Sequence, residues 1–103
     1  MYKLEVLPVA KEDMVEIVRY ISKDLKNPAA ANSLSDALFA AMEAVTKFPY
    51  ANPAYVPIRP LRFEYRKRMV KNYLMLYRVD EQKKTITISR VIYAKRDYDR
   101  FLG

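Results

Sequence analysis

In the stretch RFEYRKRMVKNY, Arg62, Arg66, Lys67, Arg68 and Lys71 fall within ten residues, interleaved with Phe63, Tyr65 and Tyr73. Cations at this density neutralise phosphates, and rings between them offer stacking surfaces for unpaired bases, a combination suited to RNA. An acidic protein segment would satisfy the same charges. Tyrosines in strands also serve as packing with an exposed hydroxyl, and Tyr73 and Tyr77 are assigned to that role. A second cluster, RVIYAKRDY, supplies Arg90, Tyr93, Lys95, Arg96, Asp97 and Tyr98. With these types a ribonuclease without histidine is chemically feasible. Lys or Tyr would act as general base, Arg would stabilise the phosphorane, and another Lys or Arg would assist the leaving oxygen. The alternative is structural: Arg96 pairs with Asp97, Asp99 or Asp80, and Tyr98 anchors the tail.

Other chemistries lack their parts. The 103 residues include no Cys and no His, so disulfides, thiol catalysis, imidazole catalysis and most transition-metal sites are out of reach. Ser22, Ser33, Ser35 and Ser89 have no histidine to activate them. The lone glycine, Gly103, makes no phosphate-cradling loop. Glu12, Asp13 and Glu16 read as the solvated first turn of a helix, not a metal cluster. No metal or cofactor is therefore expected.

Net charge is +7, and it is segregated. Residues 1–57 carry six Lys/Arg against seven acids, and residues 58–103 carry thirteen against five, a net of +8 in the second half. Such asymmetry points to a polyanion or an acidic protein meeting one region of the fold. No apolar run approaches the length of a membrane span, and MYKLEVLPVAKED lacks a signal-peptide core, so a cytoplasmic location is expected.

These residues need elements to hold them. YKLEVLP alternates, with Tyr2, Leu4 and Val6 on one side, and reads as a half-buried strand ended by Pro8. From about Ala10 the spacing turns helical, with Met14, Ile17, Ile21 and Leu25 in one stripe and acids gathered in the first turn. In KNPAAANS, Asn27 suits a helix cap and Pro28 a first helical position. Leu34, Leu38, Ala41, Val45 and Phe48 form the buried stripe of a second, alanine-rich helix, which makes an antiparallel hairpin with the first. Pro49 stops it. PYANPAYVPIRP is proline-rich and reads as a surface loop poor in hydrogen bonds. Strands are expected over 61–70, 72–79 and 85–92, the last two joined by the polar turn DEQKK. In the middle strand Tyr73, Met75, Tyr77 and Val79 share one face and Leu74, Leu76 and Arg78 the other, the mark of a central strand. KRDYDRFL suits a short final helix.

The result is one α+β domain over residues 1–103: a helical hairpin on one face of a mostly antiparallel four-stranded sheet, with a short C-terminal helix. The surplus Arg and Lys are expected on the sheet's other face or its rim.

EIVRYISKDLKNPAAANSLSDALFAAMEAVTKFP resembles the helical hairpin of the RelE/ParE superfamily, the toxins of bacterial type II toxin–antitoxin pairs. VKNYLMLYRVDEQKKTITISRVIYAKRDYDRFL resembles that superfamily's closing strands and tail. The resemblance implies a cytoplasmic growth inhibitor, associated with plasmid stabilisation, whose acidic, partly disordered antitoxin wraps it and lays apolar side chains along its grooves. It also implies operator binding only through the antitoxin complex. RelE-like members cut ribosome-bound mRNA without a metal; carried over singly, their residues fall on Arg66, Lys67, Arg68, Arg96 and Tyr98. Ala94, however, stands where a basic residue is expected, and Leu74, not Arg, follows Tyr73. ParE-like members poison DNA gyrase without known catalytic residues. The long hairpin, the NYLMLYRV strand and Tyr93 in a place often held by His resemble that branch more closely. Surfaces for the target or the antitoxin are expected at Arg62, Arg66, Arg68, Lys71, Arg78, Arg90, Tyr93, Lys95 and Arg96.

Overall fold

The computed structural model describes residues 1–55 and 64–95. Strand β1, Lys3–Val6, leads into helix α1, Pro8–Arg19. Pro8 does not merely end the strand. It occupies the first helical turn, where its fixed φ and missing N–H cost nothing, so α1 starts two residues before the expected point. Its first turn consequently holds no acid, and Asp13 lies further along the helix.

Residues Tyr20–Asp24 then widen into a π-turn, closed by the Leu25 N–H donating to the Tyr20 carbonyl at 3.0 Å. Lys26 follows in the left-handed region, at φ 51°, and reverses the chain. Asn27 caps helix α2, Pro28–Lys47, its Oδ1 accepting from the Ala30 N–H at 3.1 Å, with Pro28 beside it as expected. Strands β2, Arg66–Val70, β3, Tyr73–Asp80, and β4, Thr85–Tyr93, complete the elements among the described residues. The expected start of β2 at 61 and the C-terminal helix lie outside the described residues.

The sheet order is β1-β4-β3-β2. The β2–β3 and β3–β4 pairs are antiparallel, while β1 runs parallel to β4. The central position of β3 is as its two-sided apolar pattern implies. On the helical side, Leu34, Leu38, Ala41, Met42 and Val45 of α2 meet Met75 and Tyr77 of β3 and Ile86, Ile88 and Val91 of β4. Burial of each large member contributes about 1.5–3 kcal/mol. Tyr77 is wholly buried, and its hydroxyl donates to the Pro49 carbonyl at 2.6 Å. The other face is not chiefly basic: Leu74, Leu76 and Ile92 form a second cluster packed by Tyr55, Tyr65 and Ala94.

Three apolar residues depart from the expected stripes. Leu4 sits on the edge strand and is exposed, and Leu25 and Phe48, at the ends of the helical run, are more than half exposed. The segment after α2 is also less hydrogen-bond-poor than its prolines imply. Ala54 bridges to Arg66, and the Tyr55 N–H donates to the Tyr65 carbonyl at 2.7 Å, so it covers the outer edge of β2.

Candidate functional site

Between Leu76 and Tyr77 the β3–β4 register shifts, leaving Ser89 as an extra residue in β4. This bulge resets the alternation. Ile86, Ile88 and then Val91 face the helices, and Arg90 is spared from the core. Because β1 ends at Val6, no strand among the described residues flanks the remainder of β4 on that side. Asp13 of α1 fills the gap. Its Oδ2 accepts the Val91 N–H at 3.0 Å and Arg90 Nε at 2.7 Å, and its Oδ1 accepts Arg90 Nη2 at 2.7 Å. Both side chains are mostly buried, and the carboxylate holds the Arg90 guanidinium above its ordinary pKa. Asp13 is thus not the solvated helix residue expected from sequence. Only the lack of any nearby partner in sequence hid it: Asp13 and Arg90 stand 77 positions apart.

The basic strand divides. Arg66 Nη1 donates to the Asn52 carbonyl at 2.7 Å, its guanidinium lies 4.8 Å from the centre of the Tyr50 ring, and Glu64 is 3.7 Å away. Arg68 Nη1 reaches Asn52 Oδ1 at 3.4 Å. Both sit opposite core-facing residues of β3, Tyr77 and Met75, whereas Lys67 lies opposite Leu76 on the other face. Lys71 occupies the two-residue β2–β3 turn at φ 55°. Arg78 is half-buried on β3, opposite Thr87, and Lys95 is exposed beyond β4. Tyr93, at the end of β4, packs edge-on against Tyr73, ring centres 5.8 Å apart. Arg62, Arg96 and Tyr98 lie outside the described residues. The described members of the expected set are therefore spread over two faces and two edges, and Arg66 and Arg90 hold the fold together.

A carboxylate knot lies at the other end of the β3–β4 hairpin. Glu81 accepts from the Tyr2 hydroxyl at 2.8 Å, from Tyr50 in a short hydrogen bond, and from Lys84 Nζ at 2.7 Å. Lys84, then the two tyrosines, pull its pKa down to about 2, and the same contact pushes Tyr50 up to about 12.

Two grooves flank α1. The first, of about 640 Å³, runs between the helices and is lined by Met14, Val15, Val18, Leu38, Phe39 and Met42. Val15 and Phe39 are 53% and 68% exposed, far more than large apolar side chains in a closed core. The charged residues lining it are Lys11, Arg19 and Lys23, with no described acid among them. The sequence signal was available: α1 carries apolar residues on more than one stripe and can bury only one against the sheet. The second groove, of about 770 Å³, lies on the opposite flank, between α1 and the end of β4, where Tyr20, Tyr73 and Tyr93 converge near Asp13, Glu16 and Arg90. Burial, then the neighbouring Tyr93 and Tyr20, raises the Tyr73 pKa. Among the described residues no group of three or more acidic side chains could hold a metal, and no helix is long and apolar enough to cross a membrane.

Residues 4–98 match the sequence profile of a family described as the ParE toxin of the type II toxin–antitoxin system, parDE. A search of curated protein sequences finds no match. Among solved structures, the chain is similar to one of the chromosomal ParDE system from P. aeruginosa, with TM-score 0.73 and 16% identity over 92% of this chain and 98% of that one. It is also similar to the RelBE2 toxin–antitoxin complex from Mycobacterium tuberculosis, with TM-score 0.60 and 19% identity over 91% and 93%. A third likeness is to the intact RelBE complex of E. coli, with TM-score 0.57 and 16% identity over 93% and 100%. At these identities the structures show a shared fold.

Proposed function

The chain belongs to the ParE toxin family of type II toxin–antitoxin systems, and on that premise we propose that it arrests growth by binding DNA gyrase and is neutralised by a cognate antitoxin. The groove between the helices carries the antitoxin half of the reading. It is an apolar, water-facing trough with cationic residues in its lining, the shape and charge that an amphipathic acidic segment fills. A disordered acidic antitoxin tail would be drawn to it electrostatically and then bury its apolar side chains. The antitoxin, in turn, would carry the complex to operator DNA, and the whole would act in the cytoplasm.

A binding mechanism, not RNA cleavage, fits the residues best. Leu74 follows Tyr73 where RelE-like cleavage would want Arg, and Arg66 and Arg90 are engaged in contacts that hold loops and helix in place. The test is induction of the toxin alone, with DNA, RNA and protein synthesis pulse-labelled. Gyrase–DNA cleavage complexes and an SOS response should appear while translation is still intact. Protein synthesis halting within minutes, with new 5′ ends inside translated messages and gyrase unaffected, would replace this reading with ribosome-dependent mRNA cleavage.

A further inference from the structure

The second groove has a character opposite to the first. Its charged lining is Asp13, Glu16 and Arg90, and the Arg90 charge is matched by Asp13 through two contacts at 2.7 Å. Glu16 is a second carboxylate there: it is exposed and adds to the field that raises the Arg90 pKa, but no salt bridge among the described residues occupies it. On a chain of net charge +7, the described charged lining of this recess, two carboxylates against one guanidinium, is locally negative. Around it stand the three tyrosines. Tyr73 and Tyr93 meet at an interplanar angle of 67°, which leaves ring faces unstacked, and Tyr20 and Tyr93 are 51% and 40% exposed.

The π-turn contributes the remaining wall. On a regular helix the residue four after Tyr20 on this flank would be Asp24, but the i→i+5 closure brings Leu25 into the lining instead. An apolar shelf therefore adjoins the aromatic and acidic surface.

We propose that this groove is a receptor for a cationic side chain, arginine above all, presented by the protein partner on a segment with a flanking apolar residue. The proposal deepens the reading that a protein partner covers this chain. It adds a second anchor, of opposite charge sense to the first. A guanidinium stacks on tyrosine faces while forking onto a carboxylate, and Glu16 beside Tyr20 and Tyr93 offers that pairing. Phosphate or an acidic side chain would instead meet the Glu16 carboxylate and be repelled. A purely apolar side chain would desolvate Glu16 without compensating it. The partner is accordingly expected to be acidic where it crosses the helical trough and basic where it reaches the tyrosines.

The experiment uses the full chain and three probes followed by NMR: acetyl-Leu-Arg-Leu-amide, acetyl-Leu-Gln-Leu-amide, and an acidic amphipathic helical peptide of Glu and Leu. The arginine peptide should shift the ring resonances of Tyr20, Tyr73 and Tyr93 and bind about tenfold more tightly than its glutamine counterpart. Glu16→Gln should remove most of that preference and leave the thermal midpoint unchanged. Equal binding of the two tripeptides, shifts centred on Phe39, or a preference surviving Glu16→Gln would each overturn the proposal. The acidic peptide reads the helical trough separately. Its failure to shift Phe39 while the arginine peptide binds would count against the trough reading and support the tyrosine site. Its success with no arginine preference would sink the tyrosine site alone.

Discussion

Asp13 shows how much one side chain can determine. Its carboxylate ends the unpaired edge of β4, orients Arg90 and ties α1 to the sheet. Removing it takes the two-point carboxylate contact from a largely buried guanidinium and unpairs the Val91 N–H, so Asp13→Ala should cost about 3 kcal/mol in urea unfolding. Because much of that loss is the stranded charge, Asp13→Ala with Arg90→Leu should recover a good part of it; a double variant no more stable than the single one would refute the account. Glu81 gives a pH signature. Its ordinary pKa of 4.5 falls to about 2 in the fold, so its contribution is full above about pH 4.5 and is lost as pH drops towards 2. Tyr50 works on the other limb: raised from 10.0 to about 12, it contributes below pH 10 and loses that contribution as pH climbs to 12. Unfolding midpoints followed across pH should show a shallower acid limb in Glu81→Gln than in the parent, and identical slopes would exclude the knot as its source.

At the scale of elements, the chain makes its reversals almost without glycine. Lys26, Lys71 and Lys84 each adopt positive φ, from 49° to 55°, where a Cβ costs about 1 kcal/mol. Lys26→Gly and Lys71→Gly should therefore each stabilise the fold by about that amount in thermal melts, whereas Lys84→Gly should not, since it also removes the ammonium that holds Glu81. A loss of stability in Lys26→Gly would show that its side chain does more than solvate a turn. The same reversals mark what was legible. Asn27–Pro28 announces the helical hairpin by capping chemistry, and the double-sided pattern of β3 places it centrally, because both signals are local. The π-turn and the Ser89 bulge are single-residue slips in winding or pairing that tertiary packing selects, and no residue type advertises them. Leu25 and Phe48 misled for the same reason, since periodicity tells which face a residue shares but not how far the opposing surface extends. Asp13, one link of the candidate site, was hidden by distance along the chain.

For the whole molecule, charge segregation between the halves proved a coarse guide. The second half holds all the excess positive charge, yet the cations lining the helical trough, Lys11, Arg19 and Lys23, come from the half whose net charge is −1. Folding sorts charge by surface: α1 and the π-turn after it set these bases on one flank, and α1 sets Asp13 and Glu16 on the other. The trough is thus where attraction and apolar burial coincide, and Phe39 is its most exposed apolar ring. As a residue 68% exposed in the free chain it contributes little to folding, but covered by a partner it would be an aromatic anchor worth about 2 kcal/mol. Phe39→Glu should leave the unfolding midpoint of the free chain in place while weakening the antitoxin complex about thirtyfold by calorimetry, a factor matching that energy. In cells the variant should remain toxic and escape neutralisation by a co-expressed antitoxin. An antitoxin that binds and silences Phe39→Glu as well as the parent would mean that its grip lies elsewhere on the molecule.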